Sequence, residues 1–199
     1  MATATISMDQ VKALRDKTGI SVMQCRKALE EAGGDEAKAI ILLQKKGAEI
    51  AAKKGDRTLG AGVVQAYIHS NGTIGSMVEL VTETDFVANT PEFKTLAYDI
   101  AMHVSATNPE FIRKEEVNEE IKKKALEVFQ EEVKGKPADL VEKILQGKLD
   151  SFFKDKILLE QSFIKNPDFT IQQLIDNAIQ KFGEKIEVAR FVRFNVLTK

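Results

Sequence analysis

Cysteine is almost missing from this chain: Cys25 is the only one in 199 residues. A lone thiol excludes an internal disulfide framework and fits a reducing compartment. Histidine is scarce too. His69 and His103, with one cysteine and no close grouping of the three, do not compose a zinc site. No apolar run reaches the roughly 18 residues that a membrane-spanning helix needs. The opening MATATISMDQ has neither the basic nor the apolar segment of a secretory signal. Neither sign of charge dominates: 29 Lys and Arg stand against 30 Asp and Glu, for a net charge of -1. Bulk electrostatics therefore do not hold this protein to nucleic acid. No EF-hand loop, Walker A loop or dinucleotide fingerprint occurs. The expectation is a cytoplasmic protein with no cofactor, no metal, no membrane association and no direct nucleic-acid contact.

What is present is ordinary globular material, 43% hydrophobic and 30% charged, enough for a real core in one domain or two small ones. Residues 9 to 46 read as three short helices. The first carries Val11 and Leu14 and stops near Thr18-Gly19. Ser21 with Gln24 three residues on has the pattern of a capping box opening the second, along which Cys25, Ala28, Leu29 and Ala32 recur at helical spacing. Gly33-Gly34 ends it, and Asp35 caps a third helix running through Ile40 and Leu43 to Gly47. So small a bundle has a thin core and is suited to presenting a binding surface. Residues 44 to 58, QKKGAEIAAKKGDRT, read as a linker, in part helical, whose cations either guide an acidic partner or are simply solvated.

From Gly60 the pattern turns to strands. Gly62 to His69 and Thr73 to Thr82 flank Ser70-Asn71-Gly72, a hairpin turn in which Asn-Gly accommodates positive φ. Ile74, Val78 and Leu80 share a side with Ser76. A third strand from Lys185 to Leu197 places Ile186, Val188, Val192, Phe194 and Val196 on one side, with Arg190 interrupting, and is expected to complete the sheet, because a lone hairpin is marginal in water. Between them the chain reads as mainly helical. One helix opens at Thr90-Pro91, lines Phe93, Ala97, Ile100 and Val104 along a face, and stops at Asn108-Pro109. Residues 113 to 134 carry a weaker stripe through Val117, Ile121, Ala125 and Val128. More helix is expected near 137 to 165, and Thr170 with Gln173 opens a last one ending at Gly183. Phe152, Phe153, Phe163, Phe169, Phe182, Phe191 and Phe194 are expected mostly in the core, although Phe191 and Phe194 cannot share a face of a regular strand. The fold class is α+β: a three-helix module with its linker over residues 1–55, then over 56–199 a domain with a three-stranded antiparallel sheet and packed helices.

One segment stands apart. Glu79 to Asn89, ELVTETDFVAN, leaves a strand and enters a turn or short helix that Thr84 is placed to cap. Asp85 would sit in its first turn, where a carboxylate suits the helix dipole, and Phe86 follows at once. An acid beside an aromatic at such a junction makes a protruding contact, the ring filling a pocket on a partner while the acid acts on a polar network. Phe86 and Val87 could equally pack beneath the hairpin. Glu79, Glu83 and Asp85 have no neighbouring histidine, nucleophile or cofactor loop to support acid-base catalysis. His69 is read as exposed, His103 as a surface or satisfied helical histidine, and Cys25 as a buried thiol.

The stretch Leu14 to Gly47, LRDKTGISVMQCRKALEEAGGDEAKAIILLQKKG, resembles the N-terminal module of bacterial elongation factor Ts, which is similar in fold to ubiquitin-associated domains. Glu79 to Phe93, ELVTETDFVANTPEF, resembles that family's second signature, in the right order and at the right separation. The likeness continues through VARFVRF to nearly the whole chain. The resemblance implies a non-enzymatic guanine nucleotide exchange factor that binds elongation factor Tu in its GDP form, disturbs the partner's Mg2+ site and lets GTP replace GDP. Carried over, Thr84, Asp85, Phe86 and Val87 form the segment that dislodges Mg2+: Phe86 wedges into the GTPase domain and Asp85 disturbs the network around the ion. Arg15, Val22, Met23 and Arg26 match module positions that touch the same domain. Gln24 and Arg26 stand where many relatives have Asp and Lys, changes that keep the cap and the charge. The length is that of the family's short form, whose members can pair through their sheets, and a chain without cysteine in its last strand would pair there noncovalently. The absence of a transit-like leader favours a bacterial over an organellar setting.

Two other readings compete. A ubiquitin-like interaction adaptor would bind through residues 1 to 55 and leave Phe86 dispensable. An RNA-binding, ribosome-associated protein finds support only in the Lys-rich linker, and the near-neutral charge opposes it.

Overall fold

A computed structural model describes residues 6–133 and 138–196. Three helices come first: α1 (Met8–Thr18), α2 (Val22–Glu31) and α3 (Glu36–Ala52). A full capping box sits at the start of α1, where the Ser7 hydroxyl accepts from the Gln10 amide (3.1 Å) and the Gln10 side chain accepts from the Ser7 amide (2.9 Å). At α2 only half of the expected box forms. Ser21 Oγ accepts from the Gln24 amide at 3.4 Å, and its own proton goes to the Gln24 side chain. Asp35 caps α3 through the Lys38 amide (3.0 Å). Inward-facing Val11, Leu14, Ile20, Cys25, Ala28, Leu29, Ala39 and Leu43 close a separate small core. Burial pushes the Cys25 thiol up, so it stays protonated and behaves as an apolar filler.

The third helix does not stop at Gly47. It runs to Ala52, through the front half of what reads as linker. Gly47 lies against α8 (Ile171–Phe182), where a side-chain carbon would meet Asp176 Cβ at 3.4 Å. The glycine marks a close approach of two helices, a signal that in sequence looks the same as a helix end.

Strands β1 (Ala61–Ile68), β2 (Ile74–Thr82) and β5 (Ile186–Asn195) form a sheet of order β1-β2-β5. It is antiparallel, as the bonds Gly60 N–H to Thr82 C=O (3.1 Å), His69 N–H to Ile74 C=O (2.9 Å) and Val196 N–H to Thr73 C=O (3.0 Å) require. In the hairpin turn only Gly72 takes positive φ (68°). Asn71 instead holds the Thr73 amide with its side chain (3.1 Å). Helices α4 (Asp85–Ala88) and α5 (Pro91–Thr107) follow β2, and α5 buries the expected Phe93, Ala97, Ile100 and Val104. Asn108 ends α5 in the left-handed region (φ 51°), the residue before proline being barred from continuing a helix. Ser76 belongs on the buried face because its hydroxyl donates to the Ala101 carbonyl (2.6 Å) and accepts from Ser105 Oγ (3.0 Å).

Two compact units make up the chain. One comprises Met1–Gln65, Val78–Asp99 and Gln172–Ala189, and the other Ala66–Met77, Ile100–Ile171 and Arg190–Lys199. In the second, α6 (Glu119–Glu132) and α7 (Ala138–Lys154) pack around Val117, Leu149, Phe153 and Ile157. The expected stripe is corrected here: Val128 is exposed, and Leu126 and Phe129 pack against the cluster. Asn118 starts α6 by accepting from the Ile121 amide (2.9 Å), so Val117 precedes the helix. Beyond α7 the expected helix gives way to a short antiparallel pair, β3 (Ser162–Phe163) and β4 (Asn166–Thr170), with α8 beginning directly after it.

The last strand departs most from its sequence pattern. Ile186 and Val188 are buried, but Val192, Phe194 and Val196 are exposed. Two consecutive exposed residues, Ala189 and Arg190, shift the alternation by one. Arg193 consequently points the other way and donates from Nε to the Ser105 carbonyl (3.0 Å). Of the seven later phenylalanines only Phe153, Phe163 and Phe169 are buried; Phe152 and Phe194 are exposed, and Phe182 and Phe191 lie between.

His103 is fully buried. The Ile164 amide donates to its Nδ1 (3.4 Å), which leaves the proton on Nε2 for Gln161 Oε1 (2.8 Å). Gln161 is fixed in turn by Thr107 Oγ1 (2.8 Å) and by donating to the Asp155 carbonyl (2.6 Å). Burial lowers the imidazole pKa against a smaller opposing effect of the Gln161 bond. The neutral ring thus stabilises the fold above the unfolded value of about 6.5, and that contribution is lost as pH falls through the lower folded value. Urea midpoints are expected to fall between pH 7.5 and 5.5 in the native chain, and to fall less in His103→Gln; equal slopes in the two proteins would contradict this.

Candidate protein-binding site

The segment after β2 is built from both sides. Thr82, the last residue of β2, is buried and donates its hydroxyl to Glu184 Oε2 (2.8 Å). The Thr84 amide donates to the same oxygen (3.0 Å), and the Thr84 hydroxyl to Glu184 Oε1 (2.5 Å). Thr84 occupies the N-cap position of α4 but makes no side-chain cap bond, contrary to expectation, because its hydroxyl is taken by Glu184. Glu83 reaches the opposite way. Its Oε1 accepts from the Lys185 amide (2.6 Å), and Arg57 Nη1 lies 3.0 Å from its Oε2. Downstream, Thr90 Oγ1 donates to the Val87 carbonyl (2.8 Å) and accepts from the Phe93 amide (3.2 Å), joining α4 to α5.

On this held turn the four residues separate. Val87 is buried, 8% exposed, and anchors the turn. Thr84 is half-buried and Asp85 exposed. Phe86 is 85% exposed, so it does not pack beneath the hairpin. A bare phenyl ring on a turn fixed by backbone and carboxylate hydrogen bonds is an unfilled contact, since burying such a ring removes about 150–250 Å² of surface from water.

Electrostatics favour the held state. The Lys185 amide, with Arg57 and Lys54, outweighs burial and holds the Glu83 carboxyl below its usual range. Around Glu184, burial works against the charge, but the bonds from Thr84 and Thr82 prevail and lower its pKa as well. Both carboxylates are ionised at neutral pH. The linker takes part here too: its Lys54 Nζ donates to the Gly183 carbonyl (2.6 Å), and its Gly55 carbonyl accepts from Lys185 Nζ (2.6 Å).

A second surface lies on the helical module. Arg15 and Val22 line a depression of about 270 Å³ with Met8, Asp9, Val11, Lys12 and Asp16. Arg26 is exposed beside it, with Nη2 3.0 Å from Met8 Sδ, and Met23 is 80% exposed. These four residues gather on α1 and α2, while Thr84–Val87 form a separate group. Sequence reasoning does not reach Glu184 or Arg57, and it weighs Glu83 only as a catalytic acid, not as a holder of the turn. The only local signal for Glu184 is a charge next to the helix-ending Gly183, too common to be informative. Among the described residues no group of three His, Cys, Asp or Glu could hold a metal ion, and no helix is long and apolar enough to cross a membrane.

An exposed aromatic and acid on a hydrogen-bonded turn, together with an apolar and basic patch on a small helical module, suit a protein that works by binding another protein. Residues 12–198 match the family described as Elongation factor TS. The chain is 50% identical over 193 residues to elongation factor Ts of Carboxydothermus hydrogenoformans, covering 96% of this chain and 89% of that one. It is 47% identical over 191 residues to elongation factor Ts of Thermotoga maritima, covering 96% of each. The chain belongs to the elongation factor Ts family. Membership makes it a non-enzymatic factor of protein biosynthesis that acts through protein–protein interaction.

Proposed function

We propose that the protein is the guanine nucleotide exchange factor of elongation factor Tu. It engages the GDP-bound form in the cytoplasm, disturbs the partner's Mg2+ site and lets GTP replace GDP. The observation that carries this reading is Phe86, solvent-exposed on a turn that the rest of the fold holds still. Phe86 enters a pocket of the GTPase, and Asp85 competes with the polar network around the ion. Thr84 and Val87 position the pair, one through Glu184 and the other through burial. Arg15, Val22, Met23 and Arg26, on a module similar to ubiquitin-associated domains (residues 1–55), meet the GTPase domain, while the domain over 56–199 grips the partner elsewhere. No covalent step is required. A factor that binds the nucleotide-free partner more tightly than the GDP form must by linkage loosen GDP. Release of labelled GDP from elongation factor Tu is expected to accelerate with substoichiometric amounts of the chain. No acceleration of an active partner would refute the reading.

Exposed Ile68, Met77, Phe194 and Val196 on the sheet support noncovalent pairing with a second copy. Sedimentation is expected to show a concentration-dependent dimer that Phe194→Asp converts to monomer, because a charge there would have to be buried. A native chain that stays monomeric at high concentration, alone and in the complex, would exclude pairing.

A further inference from the structure

Glu83 and Glu184 form a reciprocal latch. The side chain of residue 83 holds the backbone of residue 185 (2.6 Å), and the side chain of residue 184 holds the backbone of residue 84 (3.0 Å). The two connections, β2 to α4 and α8 to β5, lie about 100 residues apart in the chain. Glu184 is the busier partner, taking three hydrogen bonds, two of them from Thr84. From the geometry we infer that Glu184 is a positioning residue for exchange: it fixes the residue 84–87 turn in the free protein, so that Phe86 is presented without an ordering cost on binding. This rests on the exchange-factor reading of that turn.

The physical logic is preorganisation. The turn has no hydrophobic side-chain anchor between Thr82 and Val87, since Asp85 and Phe86 are exposed and Glu83 is turned toward Lys185 and Arg57. Without Glu184 the Thr84 amide and hydroxyl would return to water, and the turn would sample other conformations. Apparent affinity for the partner then falls by the fraction of time spent in the presenting conformation. Glutamine is the conservative replacement. It keeps an acceptor for Thr82 and the Thr84 amide, and its NH2 group can donate to the Thr84 hydroxyl, which accepts as well as donates.

The test has two parts. Hydrogen exchange on the free full-length protein is expected to show faster exchange at Ala88, Asn89 and Thr90 in Glu184→Ala, with amides of Val78 and Ile100 unchanged. In the release assay Glu184→Ala is expected to lose about tenfold in stimulated GDP release per unit of factor, with Glu184→Gln recovering most of it. Combined with Phe86→Ala, the Glu184→Ala loss should largely vanish, because its effect passes through Phe86; a merely structural role would leave the two losses additive. If Glu184→Ala does not fold, Thr82→Val removes one bond while keeping the shape and is expected to lose about threefold in the same direction. Unchanged protection around Asn89, or full stimulation by a folded Glu184→Ala, would overturn the inference. A native chain that stimulates nothing would instead sink the exchange reading, leaving hydrogen exchange to decide whether the latch orders the turn.

Discussion

Phe86→Ala is expected to abolish most of the stimulation of GDP release while leaving the free protein as stable as before. The ring is 85% exposed, so its removal creates no cavity, and surface changes of this kind stay within about 0.5 kcal/mol. In the complex the same ring would be the buried anchor. Truncating an aromatic hot spot costs about 2 kcal/mol or more, roughly thirtyfold. Stability and function therefore separate at this residue. The measurement is labelled-GDP release at fixed factor concentration, paired with a thermal melt. Full stimulation by a folded Phe86→Ala would move the binding work elsewhere, first to Arg15, Val22, Met23 and Arg26. That result would revive the reading of the chain as an adaptor acting through its N-terminal module.

Leu14→Ala should have the opposite profile. Leu14 is fully buried among a core of eight residues drawn from three helices and the α1–α2 connection. Such a truncation costs about 2–5 kcal/mol through lost transfer energy and the cavity left behind. A small module has little stability beyond that to lose. Amide exchange along α1 and α2 is expected to accelerate by at least about thirtyfold, with Val78 and Leu80 in β2 holding their protection. Equal acceleration throughout would show that module and sheet melt as one cooperative unit. Because Arg15 and Val22 sit on the same helices, exchange activity should fall with the loss of their arrangement.

How much of this could be read in the sequence varies with the element. The three N-terminal helices, the hairpin and α5 were legible because hydrophobic period and capping residues agree there. Asp35 before an apolar run and Phe93, Ala97, Ile100 and Val104 along one face leave little choice. The sequence pattern ends the third helix too early, since a glycine that lets two helices approach looks like a glycine that ends one. The β3–β4 pair leaves no sequence signal: its two strands have two and five residues, too few to carry a period. In β5 the pattern was plain but its phase was not, because one shift at Ala189–Arg190 puts Phe194 outside and Arg193 against α5.

The candidate site divides along the same line. The sequence by itself determined that Asp85 and Phe86 stand at the end of a strand, that the neighbouring acids lack catalytic company, and, through the likeness of two long blocks, which family the chain belongs to. These are properties of adjacent residues, encoded in order and spacing. Only the tertiary structure decided that Phe86 faces solvent while Val87 does not, and that Glu184, some hundred residues away, holds the Thr84 amide at 3.0 Å. A hydrogen bond between distant segments leaves no period and no local motif. It exists only once the sheet has brought the two ends together.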